Sequence, residues 1–347
     1  MKLSRYILNI NSTVKEALEK INTLTRVQTI FIIDDEYKIL GSITDGDIRR
    51  GFIKGLSIND KLENFLFTDF KYLKEGNCNF LKLKEFKEKG IKILPFLDAK
   101  DRIIKVIDLY KTKSILPIDA VIMAGGKGTR LRPLTLDIPK PLLKIGDKEI
   151  ISYNFDRLLQ FGILNQNITV NYLGEQIRDF CNFYNKEINF NIVKEETFMG
   201  TAGSLSLIEK FHNDTILLTN SDILTDIDYE DLYNSFITTG SDFMVASTSY
   251  DVNLPYAVLE VDEKNVLDFK EKPTYTYYAN AGIYLMKKEV LDLIPKNEHF
   301  NATDLMSSVL KNNLKLNHYL IRGYWLDIGK HEDFIKAQKD IKHINFN

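Results

Sequence analysis

The sequence predicts an α/β protein of two unequal parts, and three observations lead to this prediction. After Ile118, apolar runs of strand length alternate with segments whose apolar residues have helical spacing. Before that point a short α/β pattern occurs twice, which predicts two copies of one small unit. Between the parts, residues 111–117 are polar and end in a proline, which is typical of a domain boundary.

Each copy of the small unit has two predicted strands joined by an acidic turn and followed by a helix. The predicted elements are strands at 29–33, 39–43, 91–97 and 103–107, and helices that begin at Thr44, Leu83 and Asp108. Asp108 lies 61 positions after Asp47, and we align the two copies on these residues. We expect domains at residues 1–57, 58–115 and 118–347.

The larger domain begins with a predicted buried strand at 120–124, which runs into Gly125, Gly126 and Gly128. Glycine admits positive φ and lets backbone N–H groups approach a ligand closely. The hydroxyl of Thr129 and the cations of Arg130 and Lys140 follow. A strand, a glycine-rich turn and then cations are typical of phosphate binding. Further predicted elements are a helix at 150–161 and strands at 168–171 and 215–219.

Spacing excludes two common phosphate motifs. The P-loop needs Ser or Thr after its lysine, where Gly128 follows Lys127, and the dinucleotide fingerprint needs glycine where Leu131 stands. The stretch instead resembles the Gly-Gly-x-Gly-Thr-Arg-Leu-x-Pro-Leu-Thr…Pro-Lys-Pro motif of sugar-1-phosphate nucleotidyltransferases. This resemblance implies a Rossmann-like, mixed-sheet nucleotidyltransferase domain that transfers a nucleoside monophosphate to a sugar 1-phosphate and releases pyrophosphate.

The same resemblance implies functional residues. Catalytic roles fall to Arg130, Lys140 and Lys272. The implied nucleotide-binding residues are Ala124, Gly125, Gly126, Gly128, Thr129, Glu195, Gly200, Thr201 and Ala202. Guanine presents N–H donors at N1 and N2, and a carboxylate only accepts hydrogen bonds. Glu195 or Glu196 could therefore favour GTP, although a solvated acidic pair at a strand end fits the sequence equally well.

Two acidic residues from distant segments are expected to hold a metal ion. Asp222 follows a predicted strand, and ligands bind beyond the carboxyl ends of strands in open α/β sheets. Asp327 lies in a Trp-x-Asp-x-Gly segment that resembles the family's second metal ligand. Mg²⁺ takes one or two protein carboxylates and completes its shell with phosphate oxygens and water. We therefore expect Mg²⁺ as the cofactor.

The sugar phosphate is expected to meet a third group of residues, which match family segments. These residues are Tyr256, Glu271, Lys272, Asn280 and Gly282. Ala257 replaces a glycine of the family pattern, and this extra methyl group could alter which sugar fits.

The small repeated unit resembles a tandem pair of CBS domains, on the Gly41-x-x-Thr44-x-x-Asp47 pattern. The resemblance implies that Thr44 and Asp47 could contact a regulatory adenine nucleotide. Both residues are also good helix N-caps, and the two roles are compatible. The pair could alternatively serve only as a dimerisation module. This domain combination resembles the CBS-bearing guanylyltransferases for glucosamine 1-phosphate, which supply sugars such as legionaminic acid. We therefore expect GTP and glucosamine 1-phosphate as the substrates, with a GDP-sugar and pyrophosphate as the products.

Composition narrows the remaining possibilities. The 347 residues carry a net charge of −2, so we expect no nucleic-acid partner. No apolar run is long enough for a membrane span or a signal peptide. The two cysteines, Cys78 and Cys181, form no disulfide framework, which favours the cytoplasm. We expect a homo-oligomer. Alternatives are a mannose-1-phosphate or heptose-1-phosphate guanylyltransferase, a UTP- or dTTP-using relative, or a non-catalytic nucleotide sensor.

Overall fold

In the computed structural model the chain divides into two compact units, Met1–Ile115 and Leu116–Asn347. The structure describes residues 3–25, 27–75 and 80–344, so Cys78 lies outside the described residues. Cys181 is a buried free thiol, and burial raises its pKa to about 12. Within the described ranges, no helix has the length and apolarity needed to span a membrane.

The first unit contains two three-stranded sheets with the strand orders β1-β2-β3 and β4-β5-β6. Its elements are β1 (Ile7–Asn9), α1 (Val14–Asn22), β2 (Thr29–Ile33), β3 (Ile39–Thr44), α2 (Asp45–Ile53), β4 (Leu73–Lys74), α3 (Phe80–Glu88), β5 (Ile93–Leu97) and β6 (Ile103–Asp108). In both sheets the first two strands are parallel and the last two are antiparallel.

A reciprocal pair of hydrogen bonds relates the two sheets. The Ile39 N–H donates to the Asp101 carbonyl over 3.2 Å, and the Ile103 N–H donates to the Tyr37 carbonyl over 3.0 Å. Tyr37 and Asp101 both have positive φ, 65° and 63°. Equivalent residues in this symmetric contact are therefore 64 positions apart.

This register corrects the sequence alignment of the two copies. Asp108 ends β6 as Thr44 ends β3, so Asp108 is the counterpart of Thr44 and not of Asp47. The helix expected to begin at Asp108 is also wrong. The Lys111 and Thr112 N–H groups close a single turn on the Asp108 carbonyl, and the chain then enters the second unit without a helix.

Thr44 and Asp47 cap α2. The Asp47 N–H donates to Thr44 Oγ1 over 3.2 Å, and the Thr44 N–H donates to Asp47 Oδ2 over 2.8 Å. This is a capping box, which satisfies backbone groups left over at the helix start. Arg50 pairs with the other Asp47 oxygen. Contact with a regulatory nucleotide stays a prediction for both residues.

The second unit is built on a seven-stranded sheet with the order β11-β10-β7-β12-β17-β14-β18. Its strands are β7 (Ile118–Met123), β8 (Lys144–Ile145), β9 (Lys148–Glu149), β10 (Asn165–Val170), β11 (Asn189–Lys194), β12 (Thr215–Asn220), β13 (Ile223–Thr225), β14 (Phe243–Asn253), β15 (Val258–Asp262), β16 (Asn265–Lys270), β17 (Thr274–Lys287), β18 (Leu316–Leu320) and β19 (Trp325–Asp327). Its helices are α4 (Ile150–Gln160), α5 (Gly174–Phe183), α6 (Tyr229–Thr239), α7 (Ala302–Lys311) and α8 (His331–Asp340).

Only β17 runs antiparallel to its neighbours in this sheet, so the predicted α/β domain with a mixed sheet is confirmed. Both faces of the sheet are covered. Helix α4 contributes Ile151, Phe155 and Leu158 to the core on one face. Helix α7 contributes Leu305 and Val309 to the core on the other face. A sheet covered on both faces leaves its strand ends as the place for a ligand.

Strands β14 and β17 continue as a two-stranded arm whose far end is the hairpin β15–β16. Every residue from Leu259 to Lys272 is exposed. The arm begins near Gly282, where positive φ of 70° is needed and an added Cβ would lie 2.7 Å from Asn220 Nδ2.

Candidate active site

The glycine loop and Asp222 lie at the same edge of the sheet. Strands β7 and β12 are parallel neighbours, and their last residues, Met123 and Asn220, pair in register. The Ser221 N–H then donates to the Met123 carbonyl over 3.2 Å. Asp222 therefore follows β12 directly beside the point where β7 turns into the glycine loop.

A two-stranded ladder brings Asp327 to Asp222. Strand β13 pairs with β19 so that Ile223 faces Asp327. The Ile328 N–H donates to the Asp222 carbonyl over 3.1 Å. Two carboxylates about a hundred positions apart in sequence thus project from adjacent strands, as the sequence analysis predicted for a metal site.

The carboxylates of Asp222 and Asp327 are half-buried, and their negative charges lie close to each other. Burial is the main cause that raises the pKa of Asp327, and the negative charge of Asp222 raises it further. Lys140 and Arg130 act in the opposite direction. Lys140 is 8% exposed and pairs with Asp222 Oδ2.

One oxygen of each carboxylate has no partner. Asp222 Oδ1 and Asp327 Oδ1 are buried and accept no hydrogen bond from any residue within the described ranges. Buried carboxylate oxygens without a donor are costly, and a divalent cation would satisfy both. These residues fit Mg²⁺. No cluster of three or more acidic, histidine or cysteine ligands occurs in residues 3–25, 27–75 and 80–344, so phosphate oxygens and water would complete the shell.

Arg130 and Lys140 belong to short 3₁₀ helices, Thr129–Leu131 and Lys140–Leu142, on the segment that follows the loop. A Cβ added at Gly329 would lie 3.4 Å from the Arg130 guanidinium, an ordinary van der Waals distance, so this cation lies beside the segment that carries Asp327. Gly128 has a φ of 59°, and its carbonyl accepts from the Thr135 hydroxyl over 2.8 Å. The loop is thereby fixed next to both cations.

The glycine loop offers unused donors. The N–H groups of the four residues Gly125–Gly128 donate no hydrogen bond to any other described residue. No atom lies within 4 Å of a Cβ built at Gly126, so the loop faces open space there. Ala124 is buried, and its N–H donates to the Thr169 carbonyl, so it fixes the start of the loop to the neighbouring strand β10. Thr129 is exposed. Free N–H groups beside two cations suit a polyphosphate.

The second loop, Glu195–Gly203, lies against the glycine loop. Glu195 is 5% exposed, and an added Cβ at Gly125 would lie 3.1 Å from Glu195 Oε1. Glu195 Oε2 accepts the Met199 N–H over 3.3 Å. Burial raises the pKa of Glu195, while that N–H and the nearby hydroxyls of Thr169 and Ser204 oppose the shift. Glu196 is exposed.

Thr201 and Ala202, which are predicted to bind the nucleotide, form hydrogen bonds that stabilise this second loop. Ala202 is fully buried; its N–H donates to the Phe300 carbonyl, and its own carbonyl accepts from Leu205. Thr201 Oγ1 accepts the Ala302 N–H over 2.8 Å at the start of α7. The backbone polar groups of Ala202 are therefore both used within the protein, and contact with a nucleotide stays a prediction for Thr201 and Ala202. The loop leads into a short 3₁₀ helix, Gly203–Leu207. Gly200, with a φ of 75°, allows the close approach to Phe300.

Only some of the residues predicted to bind the sugar phosphate lie at the same edge of the sheet. Gly282 lies against Asn220 at the sheet edge, and the Asn280 side chain bonds the Gly282 N–H and the Tyr284 hydroxyl. Tyr256, by contrast, is 77% exposed beside the arm. Glu271 and Lys272 are exposed on the arm, and their ammonium and carboxylate lie 3.9 Å apart. The structure does not bring these three side chains to Asp222.

Asn154 is a supporting residue that the sequence analysis missed. Its Nδ2 donates to the carbonyls of Ser221 and Ile223 over 3.3 and 3.2 Å, and so holds the turn that carries Asp222. Asn154 lies on the apolar face of α4, three and four residues after Ile151 and Ile150 and four before Leu158. A polar residue inside an apolar helical stripe was the available signal.

The larger unit matches known proteins. The family model described as "Nucleotidyl transferase" matches residues 119–344. Curated relatives include mannose-1-phosphate guanyltransferases of Debaryomyces hansenii and Saccharomyces cerevisiae, 34% and 32% identical over 227 residues. Each alignment covers 62% of this chain, and the chain spans 62% and 63% of those relatives' length.

Two solved structures share the fold. A Bacillus anthracis protein described as a glucose-1-phosphate thymidylyltransferase aligns with a TM-score of 0.53 and 26% identity, over 66% of this chain and 97% of that one. HddC of Yersinia pseudotuberculosis aligns with a TM-score of 0.50 and 24% identity, over 64% of this chain and 99% of that one. With a family model that covers most of its length, this chain belongs to the nucleotidyl transferase family.

Proposed function

We propose that the chain transfers a nucleoside monophosphate from GTP to a hexose 1-phosphate and releases pyrophosphate. The observation that supports this most strongly is the grouping of two carboxylates, each with a buried oxygen that lacks a donor, with Lys140 and Arg130 beside a loop of free N–H groups. An oxygen of the sugar phosphate would form a bond to the α-phosphorus while the bond from that phosphorus to the β-phosphate oxygen breaks. The electron pair of the broken bond leaves with pyrophosphate.

This chain's own residues would position the reactants and offset their charge. The Gly125–Gly128 N–H groups would hold the triphosphate, and Arg130 would offset the charge that develops on pyrophosphate. Lys140 would neutralise the α-phosphate, at which the new bond forms. Mg²⁺ held by Asp222 and Asp327 would supply further charge neutralisation. Catalysis of this kind rests on positioning and electrostatics, without a covalent intermediate.

In this proposal, residues on and beside the two-stranded arm would bind the sugar phosphate. Lys272 would hold the attacking phosphate, with Glu271, Tyr256, Asn280 and Gly282 around the sugar. Because Tyr256, Glu271 and Lys272 are exposed and unassembled, we infer that the arm moves toward the sheet edge when the sugar phosphate binds. The relatives' names favour mannose 1-phosphate, and the domain combination favours glucosamine 1-phosphate. Turnover with a panel of sugar 1-phosphates, heptose 1-phosphate included, decides between them.

Lys140→Ala and Asp222→Asn should each lower the rate of pyrophosphate release by about 10²–10³, because each removes one electrostatic contact that is strongest in the transition state. A coupled assay with GTP, Mg²⁺ and the sugar 1-phosphate measures this rate, and circular dichroism confirms folding. Matched controls are Lys144→Ala and Asp214→Asn, which change exposed residues of the same types. Near-normal release by both active-site variants would refute the assignment.

Glu195→Gln should reduce the preference for GTP over UTP, dTTP and CTP by about tenfold or more. A carboxylate accepts from both guanine donors, whereas an amide turns a donor toward one of them. The position of Glu195 beside the Gly125 turn supports this role over Glu196. Glu196→Gln is therefore the control and should keep the wild-type ratio. If Glu195→Gln keeps that ratio too, Glu195 does not read the base.

We also propose that the first unit is a tandem CBS pair that binds an adenine-nucleotide effector. Its two symmetric sheets and their reciprocal contact support the pairing. Calorimetry of the full chain with AMP, ADP and ATP should detect binding that Asp47→Asn abolishes and that Asp222→Asn retains. If no binding heat is detected with any of these nucleotides, the effector role is ruled out and the pair serves only in assembly.

A further inference from the structure

Two exposed side chains join the glycine loop to the second loop. The Lys127 ammonium lies 4.9 Å from the centroid of the Phe198 ring. Lys127 belongs to the glycine loop and Phe198 to the second loop, so this contact links the two loops. The sequence analysis gave neither side chain a role, and the proposed reaction does not use them.

The contact is easily exchanged for another. An exposed ammonium gains little from an aromatic ring in water. Within the described part of the chain, the Lys127 side chain contacts this ring and forms no hydrogen bond or ion pair. A triphosphate in the glycine loop would bring several negative charges close to Lys127, and the flexible stem of lysine can follow them. Binding would therefore draw the ammonium away from the ring.

The Phe198 ring is exposed, and the backbone next to it is held in place by hydrogen bonds. The ring is 43% exposed, although the next residue, Met199, is buried. The Met199 N–H donates to Glu195 Oε2, and its carbonyl accepts from Phe300 over 2.9 Å. The ring thus projects from a fixed segment, next to the Lys127 ammonium of the glycine loop. An exposed flat ring in this position is suited to stack on a base.

We propose that Lys127 and Phe198 form a nucleotide clamp: on binding, Lys127 moves from the ring to a phosphate, and the ring packs on the base. This inference rests on the proposed function, since it assigns two further residues to the same substrate. The clamp acts on affinity and not on the bond-breaking step, because neither side chain lies among the groups around Asp222. Stacking on an aromatic ring tolerates any base, so the clamp is distinct from recognition of guanine by Glu195.

Steady-state kinetics with GTP and UTP test the clamp. Phe198→Ala should raise the KM of both nucleotides by about tenfold and leave kcat and the KM of the sugar phosphate within about twofold. Phe198→Tyr, which keeps a ring, should restore the wild-type KM. Lys127→Met should also raise the KM by about tenfold, because it removes a charged contact to phosphate. The matched control is Phe183→Ala in α5, which removes a ring that is 90% exposed.

An unchanged nucleotide KM in Phe198→Ala would overturn the clamp, as would a fall in kcat as large as that in kcat/KM. An increase for GTP alone would also overturn it, since that result assigns the ring to base selection. If the wild-type chain releases no pyrophosphate with any substrate, the proposed function fails instead. Calorimetric binding of Mg²⁺–GTP to the same variants then tests the clamp separately, with a tenfold weaker Kd expected for Phe198→Ala.

Discussion

The second unit depends on the forced proximity of Asp222 and Asp327. The β13–β19 ladder fixes both backbones, so the two like charges cannot separate without the loss of backbone hydrogen bonds. Each carboxylate keeps a buried oxygen without a donor, and one lysine pairs with only one of the two. Like charges held together in a partly buried place need positive charge. Arg130 and Lys140 supply part of that charge, and in our proposal a divalent cation and the polyphosphate it accompanies would complete the balance.

The remaining features of the site follow from this constraint. The sheet places the free N–H groups of the glycine loop beside the acidic pair, because β7 and β12 are parallel neighbours. Asn154 fixes the turn that carries Asp222, and Arg130 lies against Gly329, two residues after Asp327. The residues that we propose for the nucleotide are therefore already held together by backbone pairing. Those that we propose for the sugar phosphate lie partly on the exposed arm, so the proposed site would be complete only after the arm moves to the sheet edge.

Sequence patterns predicted most of the central strands and the glycine loop, and less of the contacts made between distant segments. Apolar runs and glycines are local signals, so they located β7, β12, α4 and the loop within a few residues. The pairing of Asp222 with Asp327 came from the family resemblance, since strand register across a hundred residues leaves no local signal. The copies in the first unit were misaligned because Asp108 resembles Asp47 in type, whereas backbone pairing sets its equivalence to Thr44. The burial of Ala202, the exposure of the arm and the Lys127–Phe198 contact depend on tertiary packing.

The most direct test of the central claim is a crystal structure with GTP and Mn²⁺, in which anomalous scattering locates the metal. Mn²⁺ takes the same oxygen ligands as Mg²⁺. The account predicts one metal bound to an oxygen of both Asp222 and Asp327 at about 2.1 Å, with its other ligands from phosphate and water. Phosphate oxygens should accept from the Gly125–Gly128 N–H groups. A metal that touches neither carboxylate, or a triphosphate bound away from this loop, would contradict the account.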